Sequence, residues 1–281
     1  MALRLKIWGC RGSIATPSSD TTKYGGNTSC IEVVVDGDTA LVLDAGSGIR
    51  PLGTDLRRRG VQHVHLFLTH LHLDHLEGLR FFAPLFNPKA TIEIWGPRSP
   101  VLNLHDRILR SFSPPLFPID LRDLPAQLVF HDLPAEPREI EGVTVISDRV
   151  LHPGPTLGYR LEHGGSSAAY IPDHEPVLTG IEGVPLDWLS GGALARNADV
   201  LIHDAQYSDD EYEGKISWGH SSVGDAVAYS EAVGAKQLVM FHHEPEHSDQ
   251  ALEQLEAQAR DLTPAARAAP VLAREGETIQ V

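Results

Sequence analysis

The run Thr69-His70-Leu71-His72-Leu73-Asp74-His75 places three histidines and one aspartate within six positions. Neutral imidazole and carboxylate are the donors that suit zinc and other borderline first-row ions. A polar loop that merely happens to be rich in histidine is the plain alternative. It gives no reason for so many titratable groups to gather directly behind the apolar run Val64-His65-Leu66-Phe67-Leu68. We read the stretch as a metal site.

Such a site needs further ligands, and they must come from the ends of other strands. His152 follows an apolar segment in Leu151-His152-Pro153-Gly154, and Asp173 follows Tyr170-Ile171-Pro172. His242 follows Leu238-Val239-Met240-Phe241, with His243 as the alternative beside it. Each lies where a strand gives way to loop, the place where a rigid scaffold presents chemistry. His63, His65, His105, His131, His163, His174, His203 and His247 need no catalytic role, and His247 reads as a surface residue.

The elements that carry these residues follow from periodicity. Leu3, Leu5 and Ile7 alternate with polar neighbours as a half-buried strand. Two apolar runs, 31–35 and 39–43, flank Asp36-Gly37-Asp38 as a hairpin, and Asp44-Ala45-Gly46-Ser47-Gly48 brings glycines next to the metal loop. The spacing predicts helices over 53–60, 100–110, 223–233 and 249–260, the third started by Ser222. It predicts strands over 127–130, 143–147, 158–161, 168–171, 200–203 and 237–241, with Gly164-Gly165 as a turn and 271–281 as a last edge strand. Prolines at 100, 114, 115 and 118 make an irregular flap of about 97–125. Neither a composition shift nor a short repeat divides the 281 residues, so one α/β domain with packed sheets is expected.

Composition narrows the function classes. With 42% hydrophobic and 22% charged residues the chain fits a soluble globular protein. No apolar run reaches the roughly 20 residues of a membrane helix, and the N-terminus lacks a signal-peptide core. Two cysteines, Cys10 and Cys30, read as buried small hydrophobes, which makes a cytoplasmic location the expectation. A net charge of −15 argues against long nucleic acid and membrane surfaces as partners. It leaves room for a small anionic substrate held by a bound ion pair, and leaves homo-oligomers open.

The opening motif, followed in order by His152, Asp173 and His242, resembles the metallo-β-lactamase superfamily. That resemblance covers nearly the whole chain and implies a four-layer αββα sandwich with a binuclear metal site. It implies that His70, His72 and His152 bind one ion, that Asp74, His75 and His242 bind the other, and that Asp173 bridges them. Asp44 would hold the metal loop through hydrogen bonds. The expected cofactors are two divalent ions, zinc first, with manganese or iron(II) as alternatives. Leu201-Ile202-His203-Asp204-Ala205 and Trp218-Gly219-His220-Ser221-Ser222 look like the paired motifs of ribonuclease Z-like phosphodiesterases, in which a carboxylate orients a proton-donating histidine. Asp204 stands where many of those enzymes carry Glu, which shortens its reach to His220. Cys10-Arg11-Gly12-Ser13 and the stretch from Tyr24 to Cys30 also look like members of this branch. The long arm with which ribonuclease Z grips transfer RNA is not evident, so a smaller diester is expected.

Charge arithmetic agrees with an anionic substrate. Two divalent ions against Asp74, Asp173 and a bridging hydroxide leave about +1 at the centre. That hydroxide would attack phosphorus in line, with Asp74, Asp204 and His220 as the catalytic set. An alkoxide leaving group benefits from a proton, whereas a thiolate with pKa about 8.5 leaves without one. The pair therefore tilts the reading from thioester or amide hydrolysis toward phosphodiester hydrolysis. A structural Asp204–His220 hydrogen bond, a di-iron redox protein and a metal-retaining sensor without turnover are the rivals.

Overall fold

The computed structural model describes residues 3–34, 38–133, 136–178, 180–181 and 183–281. The first half of the chain runs β1 (Arg4–Gly9), β2 (Cys30–Val34), β3 (Thr39–Leu43), α1 (Ile49–Arg59), β4 (His63–Phe67), β5 (Thr91–Pro97), α2 (Leu104–Ser111) and β6 (Gln127–Leu133). There follow β7 (Arg138–Ile140), β8 (Val143–Arg149), β9 (Leu157–His163), β10 (Ser166–Ile171), α3 (Gly192–Ala195) and β11 (Val200–Asp204). The last elements are α4 (Asp209–Tyr212), α5 (Val223–Ala232), β12 (Gln237–Phe241), α6 (Asp249–Leu262), β13 (Val271–Leu272) and β14 (Thr278–Gln280).

Strand alternation builds the layers. On β3, Ala40 and Val42 pack with Leu52 and Leu56 of α1, while Leu41 and Leu43 turn to the other face. On β11, Leu201 joins Val223 and Val227 of α5, while Val200 and Ile202 turn inward. The inward sets meet in a middle layer where Leu5, Ile7, Leu43 and Phe67 pack with Tyr159, Tyr170, Ile202 and Phe241. Because successive strand side chains point to opposite faces, each sheet is coated on both sides and must sit between a helix layer and its partner sheet. The result is the expected four-layer αββα sandwich. One sheet has the order β14-β1-β2-β3-β4-β5-β6 and the other β13-β12-β11-β10-β9-β8-β7.

Parallel pairing sets up the site. β3, β4, β5 and β6 run parallel in one sheet, as do β10, β11, β12 and β13 in the other. Ile171 pairs with His203 and Asp204 with Phe241, so the carboxyl ends of β10, β11 and β12 finish level. The loops after those strands, and the loop after β4, open on one edge of the sandwich. Loops at the carboxyl ends of parallel strands are where open α/β sheets bind ligands.

Several expectations need correction. The C-terminal segment is not one edge strand: β13 pairs with β12 in one sheet and β14 with β1 in the other. β5 and β7 are strands that the periodicity did not announce. Helix α1 begins at Ile49, earlier than expected, because Pro51 fits a first turn whose N–H groups are unpaired anyway. It ends as expected at Gly60, with φ 76°. The segment after α2 is irregular, yet Phe112, Leu121 and Leu124 are buried against the helix-side core, so it is a packed connection and not a loose flap. His247 is buried rather than on the surface, with Nε2 2.9 Å from Glu211 Oε1. The turn expected at Asp36-Gly37-Asp38 lies mostly outside the described residues, although β2 and β3 pair antiparallel as it required.

Candidate metal centre

The loop leaving β4 is shaped by Asp44, at the end of β3. Its backbone is left-handed, with φ 60°, and its carboxylate is fully buried. Oδ1 accepts from the Thr69 N–H at 2.7 Å, and Oδ2 accepts from the Tyr170 hydroxyl at 2.9 Å. Oδ2 is also 2.8 Å from Nδ1 of His75, which fixes that ring so that Nε2 faces the cluster. The glycines after Asp44 permit the close approach expected of them: a Cβ on Gly46 would collide with the Asp74 carbonyl.

The candidate ligands fall into two groups. His70, His72 and His152 each present a donor atom within 4.8 Å of the others, and so do Asp74, His75, Asp173 and His242. His152 Nδ1–H donates to the Gly219 carbonyl at 2.7 Å, leaving Nε2 3.2 Å from Nδ1 of His72. Asp173 lies between the groups. Its Oδ2 is 3.7 Å from His70, 3.8 Å from His152 and 3.2 Å from His242, and its Oδ1 is 2.9 Å from Nε2 of His75. His242, not His243, joins the cluster. The His243 ring turns into the core, with Nε2–H donating to the Ala273 carbonyl at 2.9 Å.

Divalent ions fit this arrangement. His70 Nε2 is buried with no hydrogen-bond partner among the described residues, an expensive state unless something else satisfies it. Ring nitrogens and carboxylate oxygens converge in both groups, those of each group within 4.8 Å of one another. His72 is exposed, whereas the other six are buried, so the cluster has one side toward solvent.

Protonation differs between the groups. Burial pushes His70 well below its ordinary value and His152 down to about 4, so both present neutral lone pairs. Burial would depress His75 and His242 too, but Asp173 and Asp74 outweigh it. They hold His75 well above its ordinary value, with Asp44 adding to the effect, and raise His242 to about 9. Burial likewise opposes ionisation of Asp74 and Asp173, yet His75 and His242 hold both below the usual carboxylate range. An entering cation must displace these imidazole protons.

Asp204 and His220 sit beside the cluster. Asp204 Oδ2 is 2.7 Å from Nδ1 of His220, so the shorter carboxylate does reach. Backbone N–H groups of His174, Gln206 and Ser221 also donate to Asp204. The His220 ring lies 4.9 Å from that of His242 and 5.0 Å from that of His152.

Four supporting residues went unrecognised in the sequence. The Ser13 N–H donates to Asp74 Oδ2 at 2.8 Å, and Gln206 Oε1 is 3.1 Å from His242 Nδ1. Gly12 leaves room for the His242 ring, which a Cβ there would strike. Glu175 is buried and accepts from the N–H groups of Ser217 and Gly219, fixing the loop whose carbonyl holds His152. The Gly12-Ser13 stretch carried a branch-like signal without a role; Glu175 carried none beyond its nearness to Asp173.

A four-layer αββα sandwich with a histidine- and aspartate-lined centre at its strand ends defines a metallo-β-lactamase-type protein. The family model for the beta-lactamase superfamily domain matches residues 39–243, and the chain belongs to that superfamily. It is 26% identical to ribonuclease Z of Streptococcus suis over 79% of this chain and 84% of the relative. The metallo-beta-lactamase fold protein YhfI of Bacillus subtilis superposes with TM-score 0.70 at 17% identity, covering all of both chains. A diphosphatase of the PhnP family superposes with TM-score 0.69 at 21% identity, covering 99% of this chain and 98% of the other.

Proposed function

We propose that this chain is a metal-dependent phosphodiesterase acting on a small phosphodiester or nucleotide. In this reading His70, His72 and His152 hold one divalent ion, Asp74, His75 and His242 hold a second, and Asp173 spans both. Five imidazoles and two carboxylates favour zinc, with manganese or iron(II) as alternatives. Bound there, such ions supply water of lowered pKa and a positive field for an anionic ester. We also read the chain as one domain, since the middle apolar layer draws on both sheets.

The observation that carries the reaction class is the Asp204–His220 pair. Nδ1–H of His220 donates to Asp204, which leaves Nε2 to carry the proton that a departing alkoxide needs. Asp204 is immobilised by three backbone donors and so fixes the ring orientation. A thioester hydrolase has little use for this device. Near the same histidine, Lys215 Nζ lies 4.4 Å over the Trp218 ring and 5.0 Å over Tyr207, and Trp218 is 56% exposed. A wet aromatic face beside a cation suits a base or sugar phosphate.

The test is an assay of chelator-treated, zinc- or manganese-reloaded protein on bis(p-nitrophenyl) phosphate, an acyl-glutathione and a cephalosporin. The diester should be hydrolysed, and Asp74→Ala should abolish turnover. Preference for the thioester or lactam, or turnover indifferent to Asp74→Ala, would overturn the reading.

A second reading is hydrolysis at an RNA phosphodiester. Relatives named ribonuclease Z favour it, against the expectation drawn from the net charge of −15. Competition between a structured RNA with a 3′ extension and a cyclic nucleotide separates the two readings by kcat/KM.

A further inference from the structure

A second group of metal-ligating side chains lies at the other end of β4. His63 and His65 are two residues apart on that strand and therefore share one face. His65 pairs in register with Glu93 on β5, and Trp95 pairs with His131 on β6. A ring nitrogen from each of His63 and His65 and a carboxylate oxygen of Glu93 all lie within 4.8 Å of one another. His63 Nε2 is 3.1 Å from Glu93 Oε1, and His131 Nε2 is 2.9 Å from Glu93 Oε2. The His63 and His65 ring centroids are 4.6 Å apart.

His65 separates a metal site from an ordinary ion pair. Only 7% of it is exposed, and its buried Nδ1 has no hydrogen-bond partner among the described residues. A buried ring nitrogen left unpaired beside an imidazole and a carboxylate is free to take a cation. The surroundings fix the geometry further: Trp95 stacks on His131 at 3.7 Å and lies against His65 at 6.3 Å. The His63 side chain is 43% exposed and gives an ion a way in.

We propose that His63, His65 and Glu93 form a separate site for a zinc-class divalent ion, with His131 orienting Glu93 through its second oxygen. Two imidazoles and one carboxylate are a recognised zinc donor set, and a histidine bonded to the far side of a ligating carboxylate is a usual supporting contact. His63, at the start of β4, lies roughly 13 Å from Phe67 at its end, at ~3.3 Å per residue, and the centre at His70 lies beyond Phe67. The ligands come from β4 and β5, so the ion ties these strands together at the end of the sandwich away from the centre. The site stands independently of the phosphodiesterase reading.

The test counts zinc per chain after equilibrium dialysis of the full-length protein, with the wild type compared with His63→Gln and Glu93→Gln. Each variant should hold one ion fewer. The comparison is repeated in an Asp74→Ala background, where the same loss of one ion should persist because it comes from the other end of β4. In that background zinc should also raise the melting temperature, and adding His63→Gln should remove part of the rise. Since His63 is half-exposed, its substitution leaves the fold intact to be measured. Equal zinc counts in wild type and His63→Gln, in both backgrounds, would overturn the proposal.

Discussion

Nδ1 of His75 lies 2.8 Å from Oδ2 of Asp44, a carboxylate that also holds Thr69 and Tyr170. One buried side chain just after β3 thus sets the ring angle of a candidate ligand on the loop after β4. Asp44→Asn keeps the size and tolerates the left-handed backbone, but one of its atoms becomes a donor facing other donors. Zinc affinity should fall by about 10- to 100-fold, as losses of such supporting contacts do. Competition with a chromophoric chelator measures it, and unchanged affinity would show that the His75 ring needs no anchor.

Gly12 and His242 make a second pairing of this kind. A Cβ on Gly12 would strike the His242 ring, which cannot swing aside because Gln206 meets its Nδ1 and its own backbone is left-handed at φ 60°. Gly12→Ala should therefore lower zinc stoichiometry and turnover together while the circular dichroism of the protein stays native. Full zinc loading in the variant would contradict this.

Metal uptake should release protons. His242, raised to about 9, and His75 carry protons in the metal-free protein at neutral pH that a cation must displace. Affinity at their group should therefore climb as pH rises from 7 toward 9. Calorimetry in buffers of different ionisation enthalpy reads the released protons directly. A pH-independent affinity between 7 and 9 would contradict the assignment.

Acid should destabilise the fold through histidines outside the centre. Burial lowers His203 to about 4 and brings His243 down to about 3, against 6.5 for an exposed imidazole. Above pH 6.5 both states of the protein hold these rings neutral and their contribution is fully present. As pH falls below 6.5 the unfolded chain takes up protons that the native chain refuses, costing about 1.4 kcal/mol per pH unit for each ring. Urea unfolding of metal-free protein between pH 7 and 4 should show this slope, and His203→Gln should reduce it. A slope that His203→Gln leaves unchanged would contradict the assignment.

The candidate centre was legible because its candidate ligands sit at strand ends, where apolar periodicity stops abruptly and a histidine or aspartate stands out. His242 and His243 looked alike in sequence, since adjacent residues differ only in which way the backbone turns them. The left-handed backbone at His242 decides that. The Asp204–His220 distance also needed three dimensions, because the two lie 16 residues apart along the chain, with α4 between them. Residues that hold ligands by backbone N–H groups or by lacking a side chain, such as Ser13 and Gly12, leave no pattern in composition. The same applies to β5, whose Gly96-Pro97 end disguised a strand, and to the C-terminal segment shared between two sheets. His63 and His65 lay inside the most conspicuous strand of the chain and were masked by the motif that follows it.

The most direct measurement is kcat/KM for wild type and His220→Ala on two diesters, one losing an alkoxide and one losing p-nitrophenolate. The account predicts a loss of about 10²- to 10⁴-fold on the alkyl diester, in the usual range for a general acid, and a much smaller loss on the nitrophenyl diester. Equal losses on both would contradict a proton-donating role for His220.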